Sequence, residues 1–102
     1  TLHVYGTVDL STLNLISIES VKIHSDVTFA EGQLTSMGAT AVTGDGGSSL
    51  RIADNGSNTD NLTGITMSNI GSLNLASGVA ATMNQTNVNA IATFANKGDV
   101  AG

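Results

Sequence analysis

Residues 70–79 read Ile70-Gly-Ser-Leu-Asn-Leu-Ala-Ser-Gly-Val79, and residues 18–27 read Ile18-Glu-Ser-Val-Lys-Ile-His-Ser-Asp-Val27. The two stretches lie 52 positions apart and share the pattern I-x-S-h-x-h-x-S-x-V, in which h is an aliphatic residue. A match of this length indicates an internal repeat, and repeats are typical of chains that bury apolar side chains by stacking one unit on the next. Any fold for the remaining residues has to accommodate this repeat.

Four short segments alternate apolar and polar residues in the way that half-buried strands do. Their apolar positions are Leu2 and Val4, Val21 and Ile23, Leu50 and Ile52, and Leu73 and Leu75. If the four strands stack in parallel, these side chains form two inward ladders, because residues two apart share a face. The residues between them are then expected to form one outward row, which consists of His3, Lys22, Arg51 and Asn74.

Two helix starts are predicted by the sequences Thr28-Phe-Ala-Glu31 and Thr82-Met-Asn-Gln85. In such a capping box the Thr hydroxyl and the Glu or Gln side chain satisfy amide groups that the first helical turn leaves without partners. Coils that carry a helix are expected to alternate with shorter coils. We therefore predict a mainly-β fold, a parallel β-solenoid of about four coils with short capped helices in the long coils. It forms a single solenoid module (1–102) made of two repeats (1–49 and 50–102).

Charged residues are few and mostly acidic. Three Lys and Arg residues stand against eight Asp and Glu residues, for a formal net charge of -5. A nucleic-acid partner is therefore not expected, since phosphate binding depends on clustered basic side chains. Cysteine is absent, which excludes disulfides and thiolate ligands. No apolar run approaches the roughly 18 residues of a membrane-spanning helix, so we predict no membrane span.

Two polar loops are candidates for a calcium site. Residues 54–61 place Asp54, Gly56, Asn58 and Asp60 at alternate positions, and the side-chain oxygens of Asp54, Asn58 and Asp60 suit a hard cation. No bidentate glutamate follows them as it does in an EF-hand, and a solvated turn is the alternative. Residues 44–50 resemble the glycine-rich calcium turn of RTX proteins, except that their aspartate precedes the glycine pair. We expect no cofactor other than Ca²⁺ at this first loop.

The outward row is a candidate binding surface, because it includes Lys22 and Arg51, two of the three basic residues. With His3 and Asn74 it would suit an acidic glycan, and an ordinary solvated face is the alternative. His3 and His24 are expected on neighbouring rungs, where a metal or catalytic role would require further carboxylate or histidine partners. No combination of nucleophile, base and pocket is evident, so we do not expect an enzyme.

These matched residues resemble the β-solenoid repeats of large bacterial surface and secreted proteins, such as S-layer proteins and RTX-type adhesins. The pattern also includes paired segments at Asp9–Leu13 and Asn61–Ile65, and Gly-Asp pairs at 44–45 and 98–99. The resemblance implies a structural or self-assembling module of a bacterial cell-surface or extracellular protein, namely an S-layer, an adhesin stalk or a fibre. Its expected partners are further copies of its own repeat or a longer parent chain.

Two alternatives remain. Residues 18–26 and 70–78 also resemble the leucine-rich repeat pattern L-x-x-L-x-L-x-x-N, but they lack its Asn, and the period of 52 residues is about twice that family's unit. For function, the alternative is a glycan- or protein-binding module that uses the outward row and the Asn-rich loop.

Overall fold

The chain winds through three parallel β-sheets around one apolar core, in a computed structural model that describes residues 1–54, 60–96 and 99–101. The elements follow one another as β1 (Leu2–Val4), β2 (Val8–Asp9), β3 (Ser20–Ile23), β4 (Val27–Ala30), α1 (Gln33–Ser36), β5 (Ala41–Thr43), β6 (Ser49–Ala53), β7 (Asp60–Asn61), β8 (Thr66–Ser68), β9 (Ile70–Leu75), β10 (Ala80–Thr82), α2 (Gln85–Asn89), β11 (Ile91–Asn96) and β12 (Asp99–Ala101).

The strands lie in the order β1-β3-β5-β8 in sheet A, β2-β4-β6-β9-β11 in sheet B and β7-β10-β12 in sheet C. The chain passes from one sheet to the next around the axis and returns to the same sheet after one coil. Each strand therefore pairs in parallel with the strand one coil earlier. Hydrogen-bonded side chains in neighbouring coils are separated by 19 residues (Thr1 and Ser20) to 25 residues (Thr43 and Ser68). The fold is therefore a mainly-β parallel solenoid of about four turns with two short helices, as predicted.

The core consists of aliphatic ladders that run across the coils. In sheet B, Leu50 pairs with Leu73 and Ile52 pairs with Leu75, and all four side chains are buried. The alternating sequence produces this arrangement, because every second side chain of a strand points to the same face. Each buried Leu or Ile contributes about 1.5–3 kcal/mol through removal of its side chain from water. The predicted pairing of these two strands is confirmed.

The predicted single stack of four strands is wrong, since β1 and β3 belong to sheet A whereas β6 and β9 belong to sheet B. Val21 pairs with Leu2 on one side and with Val42 on the other, while Leu50 pairs with Val27. Val21 and Leu50 are 29 positions apart, which exceeds the length of one coil. Residue alternation shows which side chains point inward, but it does not show to which sheet a strand belongs.

The two copies of the repeat occupy different sheets. In the first copy β3 pairs with β5, with Val21 beside Val42 in sheet A. In the second copy β9 pairs with β11, with Leu73 beside Phe94 in sheet B, and each of these residues stands 52 positions after its counterpart. The second copy thus has the same strand pairing as the first, but the pairing lies in the next sheet around the solenoid axis. The repeat changes sheet because its period of 52 residues is longer than two full coils of 19–25 residues each, so the second copy begins further around the axis than the first.

An unusual backbone conformation precedes both copies. Ser17 and Asn69 each have a φ of 59°, and they are the only non-glycine residues with positive φ in the described part of the chain. Residues that have a Cβ adopt this left-handed backbone region infrequently. The following amides, of Ile18 and Ile70, both donate hydrogen bonds to carbonyls of the next coil. The repeat is therefore preserved in conformation as well as in sequence.

The capping boxes predicted at Thr28 and Thr82 are wrong, although both helices form. Thr28 lies within β4 and Thr82 is the last residue of β10, because both threonines pair with strands of neighbouring coils. α1 begins after Gly32, which has a φ of 73° and provides no side-chain cap. α2 is capped by Asn84, whose side chain accepts a hydrogen bond from the Asn87 N–H. Strand pairing has overridden the local helix signal.

Candidate functional site

The predicted outward row is divided between two sheets, so the prediction of one continuous row is wrong. His3 lies beside Lys22 in sheet A, and Arg51 lies beside Asn74 in sheet B. His3, Lys22 and Arg51 are exposed, and Asn74 is half-buried. The residue beyond Lys22 across sheet A is Thr43. The two basic side chains therefore belong to separate surfaces.

Three rings stack on the surface where β1 and β3 end. Because Val4 pairs with Ile23, the residues that follow, Tyr5 and His24, are brought side by side. Their ring centroids are 4.3 Å apart and their planes differ by 4°, and the centroid of His3 lies 5.5 Å from that of His24. His3 Nδ1 and His24 Nε2 are 3.2 Å apart, within hydrogen-bonding distance. Tyr5 is 71% exposed, so this ring cluster (His3, Tyr5 and His24) faces solvent.

The ring cluster offers a flat surface with polar edges. Aromatic faces pack against other flat rings, and a phenol hydroxyl and imidazole nitrogens can donate or accept hydrogen bonds. The bond between His3 and His24 needs one nitrogen as donor and one as acceptor, so at least one of the two rings is neutral while the bond exists. The sequence identifies both histidines but misses Tyr5, because a residue just beyond a strand gives no signal until the neighbouring strand is placed.

The candidate calcium loop is described only in part. Asp54 is exposed, and its Oδ2 atom lies 2.7 Å from the position that a Cβ at Gly78 would occupy. Asn58 and the side chain of Asp60 lie outside the described residues. Within the described ranges, no three His, Asp or Glu side chains are grouped so that they could hold a metal ion. Calcium at Asp54, Asn58 and Asp60 stays a prediction.

The glycine-rich turn at residues 44–48 uses its carboxylate within the turn. Asp45 Oδ1 accepts hydrogen bonds from Ser48 Oγ at 2.7 Å and from the Gly47 N–H at 3.0 Å. These bonds stabilise the ionised form and hold the pKa of Asp45 below its ordinary value, with the Ser48 hydroxyl as the larger cause. The carboxylate of Asp45 therefore has a structural role in closing the turn.

Two turns of the same construction stand 52 positions apart. Asp9 Oδ1 accepts hydrogen bonds from the N–H and the hydroxyl of Ser11, and Asn61 Oδ1 accepts the same pair from Thr63. In the first turn the Ser11 hydroxyl, and after it the Ser11 N–H, lower the pKa of Asp9. The predicted correspondence of Asp9–Leu13 with Asn61–Ile65 thus reflects a shared turn.

A glutamine of α1 supports the first turn. Gln33 donates from Nε2 to the carbonyls of Leu10 at 2.8 Å and of Leu13 at 3.0 Å. Its Oε1 accepts from the Ala30 N–H at 2.8 Å. One amide side chain therefore connects two successive coils.

An asparagine of α2 plays the same part at the second turn. Asn87 donates from Nδ2 to the carbonyls of Leu62 at 3.2 Å and of Ile65 at 2.6 Å. Its Oδ1 accepts from the Met67 N–H of β8 at 2.9 Å. Asn87 is 1% exposed, so α2 covers the outer edge of sheet A with a fully paired buried amide.

The two turns differ in how well they are covered. Ile65, which closes the second turn, is 3% exposed, whereas Leu13, which closes the first turn, is 51% exposed. Ile16, three residues further on, is 69% exposed. We call the surface formed by β1, β2 and residues 10–16 the first-coil end. It exposes Leu13 at the position where the second repeat buries Ile65.

The second turn is covered by the coil that precedes it. Thr35 Oγ of α1 donates to the carbonyl of Asn61 at 3.1 Å. The N–H of Thr66 donates to the carbonyl of Thr40 at 2.9 Å. Helix α1 and the residues that lead into β5 are therefore the neighbours that bury the second turn.

Cavities of about 230 and about 430 Å³ lie on the two sides of α1. The first is lined by the first turn and α1, and Glu31, which is buried, supplies the one carboxylate among the described lining residues. The second lies between α1 and the second turn, and none of the described residues that line it has a titratable side chain.

These features define the protein as a parallel β-solenoid whose second repeat is turned by one sheet relative to the first. Comparison with known proteins found no matching family, no matching curated protein and no matching solved structure. In the described part of the chain, no helix has the length and apolar character needed to cross a membrane. Any functional conclusion therefore depends on the surfaces of this chain.

Proposed function

We propose that the chain is a structural module of a bacterial cell-surface or extracellular protein, in which coil is added to coil as in an S-layer, an adhesin stalk or a fibre. The proposal is supported chiefly by the first-coil end, where Leu13 is exposed although its counterpart Ile65 is buried. Repeat proteins bury such side chains against a neighbouring repeat. The sparse charge and the lack of cysteine are compatible with an extracellular setting, by composition alone.

The strand edges give the proposal further support. β1 and β2 are the outermost strands of sheets A and B at one end, and β11 and β12 are the outermost strands of sheets B and C at the other. An outermost strand presents main-chain N–H and C=O groups that can pair with a further strand. Sheets A and B can therefore be continued at one end of the solenoid, and sheets B and C at the other.

The proposal is tested with a single polypeptide that carries two copies of the chain, joined by a flexible Gly-Ser linker. The linker raises the effective concentration of the two ends. We expect the copies to stack, so that X-ray scattering shows one rod longer than the single solenoid of 27 × 27 × 23 Å. Amides at residues 10–16 of the second copy should exchange more slowly than in the single chain.

A matched control is the same tandem with Leu13→Asp in the second copy only. A carboxylate at this contact should separate the copies, because burying an unpaired charge is costly. If the unmodified tandem scatters as two independent particles, and residues 10–16 exchange equally fast in both copies, the proposed extension by stacking is wrong.

A second candidate function is glycan binding at the ring cluster. It is favoured by the parallel rings of Tyr5 and His24, whose centroids are 4.3 Å apart on an exposed surface. Lys22 lies beside His3 in the same sheet and could pair with an acidic sugar. Sugar rings commonly pack against such faces, and the charged neighbour would provide selectivity.

Glycan binding is tested by titrating acidic and neutral oligosaccharides into the protein. Tyr5 is the only tyrosine and tryptophan is absent, so intrinsic fluorescence reports on the ring cluster alone. We expect Tyr5→Ala to abolish binding detected by calorimetry and Lys22→Ala to weaken binding of acidic sugars. Arg51→Ala is the matched control, because Arg51 lies in another sheet. Equal losses for Lys22→Ala and Arg51→Ala would contradict a site at the ring cluster.

A further inference from the structure

We propose that the first-coil end docks the α2–β11 end of a second copy of this chain, head to tail, with the incoming copy turned by one sheet. This inference rests on the proposed structural role and adds the partner, the surfaces and the register. The second turn has the same construction as the first and shows how a neighbouring coil covers it.

The elements that bury the second turn indicate which surface would bury the first. That turn is buried by α1 and by the residues leading into β5, through contacts at Thr35 and Thr40. In the second repeat the corresponding elements are α2 and β11, because β9 pairs with β11 as β3 pairs with β5. The first turn therefore requires an α2–β11 surface, and a second copy of the chain presents one.

The register follows from the same correspondence. The N–H of Thr66 donates to Thr40 O, and the residues that stand 52 positions from these two are Asn14 and Ala92. We therefore expect the N–H of Asn14 to donate to Ala92 O of the docked copy. Asn14 and Ala92 are both exposed in the single chain, so neither has to leave a packed position.

Docking also determines what happens at β12. In the first repeat β6 pairs with β4, and in the second β12 pairs with β10 in the corresponding place. β1 is the first strand of the first repeat, as β6 is the first strand of the second. Because β6 pairs with β4, and β10 is the counterpart of β4, we expect β1 of the docked copy to pair with β10 of the other copy. Docking thus replaces the short pairing of β12 by the pairing of β1.

The experiment is sedimentation velocity of the full chain over a range of concentrations. We expect concentration-dependent growth for the unmodified chain and loss of growth for both Leu13→Asp and Ala92→Asp, each shifting half-assembly at least about tenfold. Ser77→Asp is the matched control, since it adds the same charge at an exposed residue that belongs neither to residues 10–16 nor to α2, β10 or β11, and it should assemble normally. A 1:1 mixture of the two blocked variants should form dimers but nothing larger, because one intact surface remains on each.

A full-length Val100→Pro variant tests the register. Proline removes the main-chain N–H of β12 at the residue that pairs with Ala81, which should free β10 and lower the concentration needed for assembly. A monomeric unmodified chain at all concentrations overturns the inference, as does growth of both blocked variants or a mixture that stays monomeric. Unchanged assembly of Val100→Pro overturns the register. If the free chain fails to assemble while the linked tandem stacks, association between free copies is wrong and the proposed structural role stands.

Discussion

Leu13 and Ile65 close two turns of the same construction, yet Leu13 is 51% exposed and Ile65 is 3% exposed. In each turn the N–H of this residue donates to a leucine carbonyl, at 3.1 Å to Leu10 and at 3.2 Å to Leu62. The local structure is therefore shared, and the difference in exposure comes from neighbours in the preceding coil. Burial in this solenoid is a property of position along the stack.

This relationship predicts unequal effects of the same truncation at the two turns. Ile65→Ala should lower the free energy of unfolding by about 2–5 kcal/mol, because it removes a buried side chain and leaves a cavity. Leu13→Ala should change it by less than about 0.5 kcal/mol, as is usual for surface substitutions. Urea unfolding followed by circular dichroism measures both, at a concentration where the chain is monomeric. Equal losses for the two variants would show that the first turn is covered within one chain.

Asn87→Ala should be among the most destabilising polar substitutions in the chain. It removes the donors to Leu62 O and Ile65 O and the acceptor for the Met67 N–H. Each buried main-chain group that loses its partner costs about 1–3 kcal/mol. Asn89→Ala is the control, since Asn89 is an exposed residue of the same helix. Chemical denaturation measures the free energy of unfolding of both variants. A decrease for Asn87→Ala no larger than that for Asn89→Ala would show that the hydrogen bonds of Asn87 to the second turn and β8 do not stabilise the fold.

Gly71→Ala should weaken the contact between β9 and the turn at residues 46–48. A Cβ at Gly71 would lie 2.8 Å from the carbonyl carbon of Gly47 and 2.9 Å from Ser48 O, both main-chain atoms that cannot rotate away. We expect a loss of about 1–3 kcal/mol from this overpacking. Gly64→Ala serves as the matched control, because a Cβ there meets nothing within 4 Å. Thermal midpoints of the two variants provide the measurement, and an unchanged midpoint for Gly71→Ala would mean that the coils separate at little cost.

The turn at Asp45 predicts a dependence of stability on pH in the acidic range. Its pKa in the folded chain is lowered from the ordinary 3.8, chiefly by the Ser48 hydroxyl, so the folded state binds the proton less readily than the unfolded state. The stabilisation is present above the ordinary pKa and is lost as the pH falls through the lower folded pKa. The Asp45→Asn variant keeps an acceptor oxygen but cannot ionise at this position.

Urea midpoints measured from about pH 5 downwards test this dependence. We expect the midpoint of the unmodified chain to fall more steeply on acidification than that of Asp45→Asn. Asp9→Asn should behave similarly, because Ser11 lowers the pKa of Asp9 in the same way. Parallel curves for the unmodified chain and both variants would mean that these carboxylates contribute no pH-dependent stability.

Parts of the candidate surfaces could be predicted and parts could not. The sequence identifies His3, Lys22, Arg51 and Asn74 as outward residues, and the structure divides them between two sheets. It gives no indication that Tyr5 joins the histidines, because that contact depends on the pairing of β1 with β3. The prediction of the capping boxes is wrong for a related reason, since both threonines lie in strands that pair with neighbouring coils.

The sequence by itself determined the repeat, the inward positions of the strands and the presence of two short helices, because residue alternation and repetition are local properties of a chain. Only the tertiary structure decided which strands share a sheet and which copy of a turn is buried. The physical reason is that the length of a coil sets the sheet on which each segment lies. With 19–25 residues to a coil, two copies 52 positions apart come to lie on neighbouring sheets, and among the described residues the coil that carries α1 covers the turn of the second copy.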